Sequence, residues 1–191
     1  MTENAILDDT NKQIITELQR NGRIELMKLA ERINLSHPAA SNRLKKLVKE
    51  GFVKVTAELN IRKLNMHLAI LGIELDSLDT ATKFVQKFRG CPRAVLITPT
   101  TGHYNLIMIL TGEDFGSLQG IIERTIRPSH GVKHMSISFT SAPFEPEYLS
   151  VPIPAKKSDV TPCGKRCGKC QSYIDGVCVG CPAFVGYRGR L

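Results

Sequence analysis

Three short apolar stripes at helical spacing, each closed by its own stop signal, fill residues 7–50 and leave that stretch few ways to fold. Asp8 or Asp9 can cap a first helix whose apolar side carries Leu7, Ile14, Ile15 and Leu18, and Asn21-Gly22 can end it through left-handed backbone. A second helix is expected over about 25–33, with Leu26, Leu29, Ala30 and Ile33 inward. After the sharp turn Asn34-Leu35-Ser36, Ser36 caps a third helix over 37–50. Pro38 stands in its first turn, where a missing N–H breaks no bond. Ala40, Leu44, Leu47 and Val48 should face the first two helices.

The opposite side of the third helix is the informative one. Ser41, Asn42, Lys45, Lys46 and Lys49 fall on its outer face, Ser36 and His37 stand at its start, and Arg43 lies between the faces. From Ser36 to Lys49 there are four basic residues and no acidic one. Short polar side chains near a helix start can reach base edges in a major groove, while lysine and arginine meet phosphates. A solvated basic face in an ordinary bundle is the plain alternative. The tight helix-turn-helix spacing favours double-stranded DNA, with Ser36, His37, Ser41, Asn42, Arg43, Lys45, Lys46 and Lys49 as the contacting set. Residues 52–58 read as a strand leaving this unit, which closes a helix-turn-helix domain over 1–60.

Residues 66–148 then follow the order strand, helix, strand, strand, helix, strand. Strands are expected at 67–75, 94–99, 104–110 and 132–140. Helices are expected at 78–88, burying Leu78, Ala81, Phe84, Val85 and Phe88, and at 115–126, burying Phe115, Leu118, Ile121, Ile122 and Ile126. In the last strand Met135, Ile137 and Phe139 should face the helices and His134, Ser136 and Ser138 the other way. This βαββαβ order is a ferredoxin-like sandwich, so the chain as a whole is α+β. Helices cover one sheet face only, and the apolar content of the first and third strands predicts a cover for the other, a second copy of the chain. A homodimer, or a higher even oligomer, would set two third helices on one duplex about 34 Å apart.

With these segments in view, residues 6–148 resemble the Lrp/AsnC family of prokaryotic transcription regulators. The resemblance rests on Leu7-Asp8-Asp9, Asn21-Gly22-Arg23, Leu29-Ala30-Glu31-Arg32, Leu35-Ser36, Ser41-Asn42-Arg43-Leu44-Lys45-Lys46-Leu47, Glu50-Gly51-Phe52-Val53 and the turn Thr101-Gly102-His103-Tyr104. It implies a winged helix-turn-helix that binds DNA, a ligand-sensing ferredoxin-like domain, dimers that often assemble further, and control by a small-molecule effector, frequently an amino acid. Thr98, Thr100, Thr101, Gly102 and Asn105 are the implied effector contacts. The family usually carries an aspartate where this chain has Asn105, which weakens an amino-acid effector because a carboxylate is the natural partner of an ammonium group. Asn105 can also be read as a turn-closing residue.

Beyond the resemblance, 149–161 reads as a linker through Pro152, Pro154 and Lys156-Lys157, and 162–191 as a small metal-binding cysteine-rich tail. Cys163, Cys167, Cys170, Cys178 and Cys181 stand in the pattern C-x3-C-x2-C-x7-C-x2-C-P. So short a segment cannot build a hydrophobic core, and a metal is the usual substitute. Zinc on Cys167, Cys170, Cys178 and Cys181 is the simplest set, a [4Fe–4S] cluster on four of the five is the second, and a metal-free redox thiol group the third. Asp175-Gly176 should turn the two halves together. Lys165, Arg166, Lys169, Arg188 and Arg190 would ring the site. Four thiolates on Zn²⁺ sum to −2. Cys91, before Pro92, reads as a small buried residue at a helix end or, less simply, as a haem–thiolate ligand.

The net charge of +8 resides mostly in the tail, where residues 155–191 hold seven Lys/Arg against two Asp/Glu. The acidic N-terminus is not a signal peptide and no apolar run approaches membrane-spanning length, so a cytoplasmic protein without a membrane partner is expected. Neither paired acids nor a nucleophile beside a base can be picked out. The rival function, a tetrapyrrole enzyme similar to the sirohaem decarboxylases, would leave the basic third helix without a purpose.

Overall fold

The computed structural model describes residues 7–141 and 146–191; residues 1–6 of the acidic N-terminus lie outside them. The chain forms two compact units, Met1–Ala57 and Glu58–Leu191.

The first unit is built from α1 (Asp9–Arg20), α2 (Leu26–Arg32) and α3 (His37–Lys49). Asp8 caps α1 by accepting the Asn11 amide at 2.7 Å, and Ser36 caps α3 by accepting that of Ala39. Ile14, Leu29, Ala30, Ile33, Ala40 and Leu47 form one buried cluster. Full burial of each large member contributes about 1.5–3 kcal/mol. The stop after α1 differs from the expectation: Asn21 is extended at φ −147°, and its side chain accepts the Arg23 amide instead. Left-handed backbone ends the other two helices, at Asn34 (φ 54°) and Gly51 (φ 79°). Val48 and Leu7, expected inward, are 47% and 43% exposed. The strand expected at 52–58 is coil; only Leu59–Asn60 pairs, as β1, and it belongs to the second unit. Among the described residues no strand pairs with 52–58, and a single strand has no ladder bonds of its own.

In the second unit β2 (His67–Leu75), α4 (Leu78–Phe88), β3 (Ala94–Pro99), β4 (Leu106–Gly112), α5 (Phe115–Ile121) and β5 (Val132–Thr140) make the ferredoxin-like sandwich. The sheet order is β3-β4-β2-β5, antiparallel throughout. One π-helical turn, Ile122–Ile126, continues α5. Ala69, Leu71, Ile73, Leu106, Met108 and Leu110 of the central strands pack with Phe84, Phe88, Leu118, Ile122 and Ile126 of the helices. Leu78 and Phe115, expected inward, are exposed at the first position of their helices, and Phe115 stacks on His67 and Phe139 at the rim instead. Part of the second sheet face is covered by the chain itself. There β1 pairs with β6 (Tyr148–Leu149), and Ile61, Met66 and Val151 close over Leu68. Ile70 and Leu96 remain 42% and 44% exposed.

Asp8 also joins α1 to α3, because Arg43 donates to it at 2.6 Å. The Arg43 hydrogen bond, followed by that of the Asn11 amide, holds the Asp8 carboxyl below its ordinary value of 3.8. The stabilisation this gives is present above the unfolded value and disappears as pH falls through the lowered folded one. We therefore expect Asp8→Asn to unfold at lower urea concentration than the native chain near neutral pH. The gap should close in acid as the native carboxyl protonates. Equal midpoints at neutral pH would remove the role given to Asp8.

Candidate nucleic-acid interface and cysteine cavity

On α3, Ser36, His37, Asn42, Lys45, Lys46 and Lys49 are exposed and Ser41 is half-buried. Helical spacing gathers Asn42, Lys45, Lys46 and Lys49 along one side, with Ser36 and His37 at the helix start. Arg43 is placed differently from the rest: its guanidinium is held by Asp8 and, at 3.1 Å, by Asn11, so it ties helices together. The exposed surface therefore offers hydrogen-bonding side chains first and three lysines after them. That arrangement fits the edge and backbone of a groove.

The expected effector residues lie at or beside the turn between β3 and β4. Thr98 and Thr100 are half-buried, and Thr101 and Gly102 are exposed. Asn105 turns out to be structural in its contacts. Its Oδ1 accepts the Leu75 amide at 2.9 Å and its Nδ2 donates to the Leu75 carbonyl at 2.7 Å. The side chain thus acts as an extra peptide group that continues the β4–β2 ladder by one step. A carboxylate could accept from Leu75 but could not donate to it.

The tail folds against the helix side of the sandwich. Arg93, 2% exposed, donates to Glu113 at 2.7 Å and to the Gly180 carbonyl at 2.6 Å. The Tyr187 hydroxyl donates to the same Glu113. Ser117 of α5 accepts the Val179 amide. Gly116 of α5 lets the tail backbone approach, since a Cβ there would collide with the Val177 carbonyl oxygen. Gly176, at φ 75°, makes the turn expected at Asp175-Gly176.

This docking encloses a cavity of about 630 Å³ lined by all six cysteines, Cys91 with Cys163, Cys167, Cys170, Cys178 and Cys181. Burial pushes the Cys91 thiol up to about 11 and Cys181 to about 12, and raises Cys167. Thiols so raised stay protonated near neutrality, unlike the lowered thiols of redox-active cysteines. The Cys178 sulfur accepts the Gly180 amide at 3.4 Å. Of the expected basic ring, Lys165, Arg166 and Lys169 line the cavity. Arg188 instead stacks on Tyr173, and Arg190 donates to the Leu64 carbonyl. Among the described residues no three His, Cys, Asp or Glu side chains are gathered so as to hold a single metal ion.

Residues 7–54 match the winged helix-turn-helix DNA-binding model and residues 68–147 match the Lrp/AsnC ligand binding domain. The chain belongs to the Lrp/AsnC family of transcriptional regulators. The HTH-type transcriptional regulator Zrp of Zymomonas mobilis is 30% identical over 110 residues, covering 55% of this chain and 71% of its own. The uncharacterized HTH-type transcriptional regulator YezC of Bacillus subtilis is 28% identical over 144 residues, covering 74% of this chain and 100% of its own. A transcriptional regulator from Neisseria meningitidis, solved as an L-Met complex, is 27% identical with a TM-score of 0.63. It covers 70% of this chain and 89% of that one. These relatives are named as regulators, so this Lrp/AsnC protein is a DNA-binding transcription regulator and not an enzyme, and the tetrapyrrole reading falls. Neither family match extends past residue 147. Among the described residues no helix is long and apolar enough to cross a membrane.

Sequence reasoning missed Arg93, which anchors the tail, and it did not place Cys91 beside the tail cysteines, with which it lines the cavity. The available signal was the repeated Cys-Pro pair, at Cys91-Pro92 and Cys181-Pro182. For the effector turn, Asn105→Asp should weaken the fold by about 1 kcal/mol through the lost donor to Leu75. Denaturant midpoints of the two proteins measure it, and an equal or higher midpoint for Asn105→Asp would contradict the ladder role.

Proposed function

We propose that this regulator reads a specific operator with the outer face of α3, as a homodimer or higher even oligomer working in the cytoplasm. The exposed row from Ser36 and His37 through Asn42 to Lys49, free of acidic residues, is the observation that carries the reading. Ser41 and Asn42 are the base-reading residues; Lys45, Lys46 and Lys49 hold phosphates. Arg43 supports the helix from behind through Asp8 and Asn11. The exposed Ile70 and Leu96 on the open sheet face supply apolar surface for a second copy, which would bring two α3 helices to one duplex.

A small-molecule effector belongs to the same reading. Thr98, Thr100 and Thr101 offer hydroxyls and Gly102 open backbone beside the β3–β4 turn, while Asn105 shapes the turn from beneath. The Neisseria relative was solved with L-Met, which makes L-Met and other amino acids the first compounds to try.

Gel shifts on the protein's own upstream region test the first part. Replacing Ser41 and Asn42 by Ala should relax sequence preference by roughly 1–3 kcal/mol per lost base contact. Replacing Lys45 or Lys46 by Ala should weaken all duplexes alike and lower the salt slope by about one. Unchanged operator preference in the Ser41/Asn42 variant would show that α3 is not the reader. Repeating the shifts with each amino acid tests the effector.

The tail is proposed to be a metal centre, holding zinc or a [4Fe–4S] cluster through its cysteines. Five thiols in nineteen residues around one cavity, in a segment with few buried apolar side chains, support it. Protein purified without oxygen should carry stoichiometric zinc, or iron with sulfide; metal-free protein that keeps its tail docked would refute the assignment.

A further inference from the structure

The cavity between the tail and the helix side of the sandwich carries a positive charge that no carboxylate among the described residues balances. Its floor is buried, with Arg93, Ser117, Thr125 and Thr161 all in the interior. Arg124, Lys165, Arg166 and Lys169 line it and are nevertheless exposed, so they stand at its mouth. We propose that this cavity binds a small phosphate monoester, with the phosphate held by Arg124, Lys165, Arg166 and Lys169 and the organic part lying inward. The site is separate from the β3–β4 turn, and it does not depend on the cysteines' holding metal.

The charges point to a dianion. Arg93 is already paired with Glu113. Glu123, the one carboxylate on the lining, is held through both oxygens by Arg127, at 2.7 and 3.0 Å. Among the described residues no carboxylate meets any of the four mouth cations. Zinc on four thiolates would carry −2, and half of that surplus would remain. Like charges at an opening with low-dielectric walls focus the potential and draw anions in. A phosphate monoester concentrates about −1.5 to −2 on one compact group near neutrality. A lone carboxylate brings a single charge.

The mouth is also built in advance. Thr161 holds the Lys165 backbone from beneath: its hydroxyl accepts the Lys165 amide at 3.1 Å and donates to the Lys165 carbonyl at 3.1 Å. The Thr161 amide donates to the same carbonyl at 2.8 Å. A single 3₁₀ turn, Cys167–Lys169, follows and carries Lys169. On the domain side, Glu123, Arg124 and Thr125 reach the lining from the π-helical turn that continues α5. That turn is closed by the Arg127 amide, which donates to the Ile122 carbonyl at 2.8 Å. Such π turns are rare and are found frequently at functional sites. Cations carried on fixed backbone lose less freedom when a ligand binds.

The interior suits an organic body. A volume of about 630 Å³ lies within the range of small-molecule pockets, roughly 300–1,000 Å³. Pro92, Ile121, Pro128 and Pro162 give it apolar wall. A duplex backbone is a broad convex surface; it could touch the mouth but would leave the interior empty.

Calorimetric titration of the full chain with phenyl phosphate, inorganic phosphate and phenol tests the site, with metal content measured on each preparation. Phenyl phosphate should bind once per chain. Inorganic phosphate should bind about tenfold more weakly for want of the buried ring, and phenol should give no saturable heat. The double variant Lys165→Ala/Lys169→Ala, altered only at exposed positions, should weaken phenyl phosphate about tenfold, the equivalent of one charge-assisted hydrogen bond. Lys83→Ala, exposed on α4 and outside the lining, should bind as the native chain does.

Binding by a chain that carries no metal supports the site and overturns the metal reading. No binding of phenyl phosphate, or equal losses in the Lys83 and Lys165/Lys169 variants, overturns the site. Binding that appears only after a chelator has stripped bound metal assigns the mouth cations to the metal and overturns it as well. If phenyl phosphate fails to bind and the double variant lowers the salt slope of operator binding by about two, the mouth faces DNA phosphates and the proposal falls.

Discussion

The second unit depends on an ion pair that water hardly reaches. Arg93 and Glu113 side chains are 2% and 7% exposed and meet at 2.7 Å. Two charges removed from water are costly, and their attraction offsets that only when the remaining hydrogen-bonding groups are also met. Arg93 meets them with the Gly180 carbonyl and, more weakly, the Thr111 carbonyl; Glu113 does so with the Tyr187 hydroxyl. Two of these three extra partners belong to the tail. Without the tail, both charges would remain in the domain with their hydrogen bonding incomplete. Losing one partner of such a pair costs about 3–5 kcal/mol. The tail is therefore a constituent of the domain's electrostatics, although its sequence reads as an appendage behind a linker. The stretch 149–161 behaves in the same way, since Val151 and Thr161 are buried within the unit.

What was legible in sequence followed the range of the interaction involved. Caps act within three or four residues, and Asp8 and Ser36 cap their helices as expected; Ser77 and Asp114 do the same for α4 and α5 and went unread. The strand order was legible from alternation and turns, because the same period that hides one face exposes the other. Apart from the strand expected at 52–58, which is coil throughout, the failures lie at element ends. Leu78 and Phe115 occupy first helical positions, where the side chain can point past the core, and helical period alone does not resolve that. The exposed side of α3 was legible, and Arg43 stands apart from it because its partners Asp8 and Asn11 lie 35 and 32 residues away. The cavity that Cys91 shares with the tail was not legible for the same reason: Arg93 meets Gly180 across 87 residues, and no local pattern encodes that contact.

Asn105 illustrates how one residue type separates two roles. Either an aspartate or an asparagine could close the turn by accepting the Leu75 amide. Only the amide can also donate to the Leu75 carbonyl, and the structure uses both bonds. With both ends of the side chain occupied, the turn is stiffened at the edge of the implied effector region. Any ligand there meets threonine hydroxyls and backbone, with no carboxylate from this position. Ammonium recognition would then need a different partner from the one the family usually places here.

Strand β4 connects these two regions, since Asn105 precedes it and Glu113 follows it. It is hydrogen-bonded on both sides, to β2 and to β3, so displacing it would break two ladders at once. Sliding this strand is thus an expensive way to carry a signal between the effector turn and the cysteine cavity. The tail is held differently, by Arg93, Glu113, Ser117 and the close packing on Gly116, with Cys163 against the domain core and Leu191 beside Ile61. Undocking it would strip two hydrogen-bond partners from the buried Arg93–Glu113 pair, so the tail is no cheaper to displace than the strand is, and its position is set by the same charges that the domain could not bury without it.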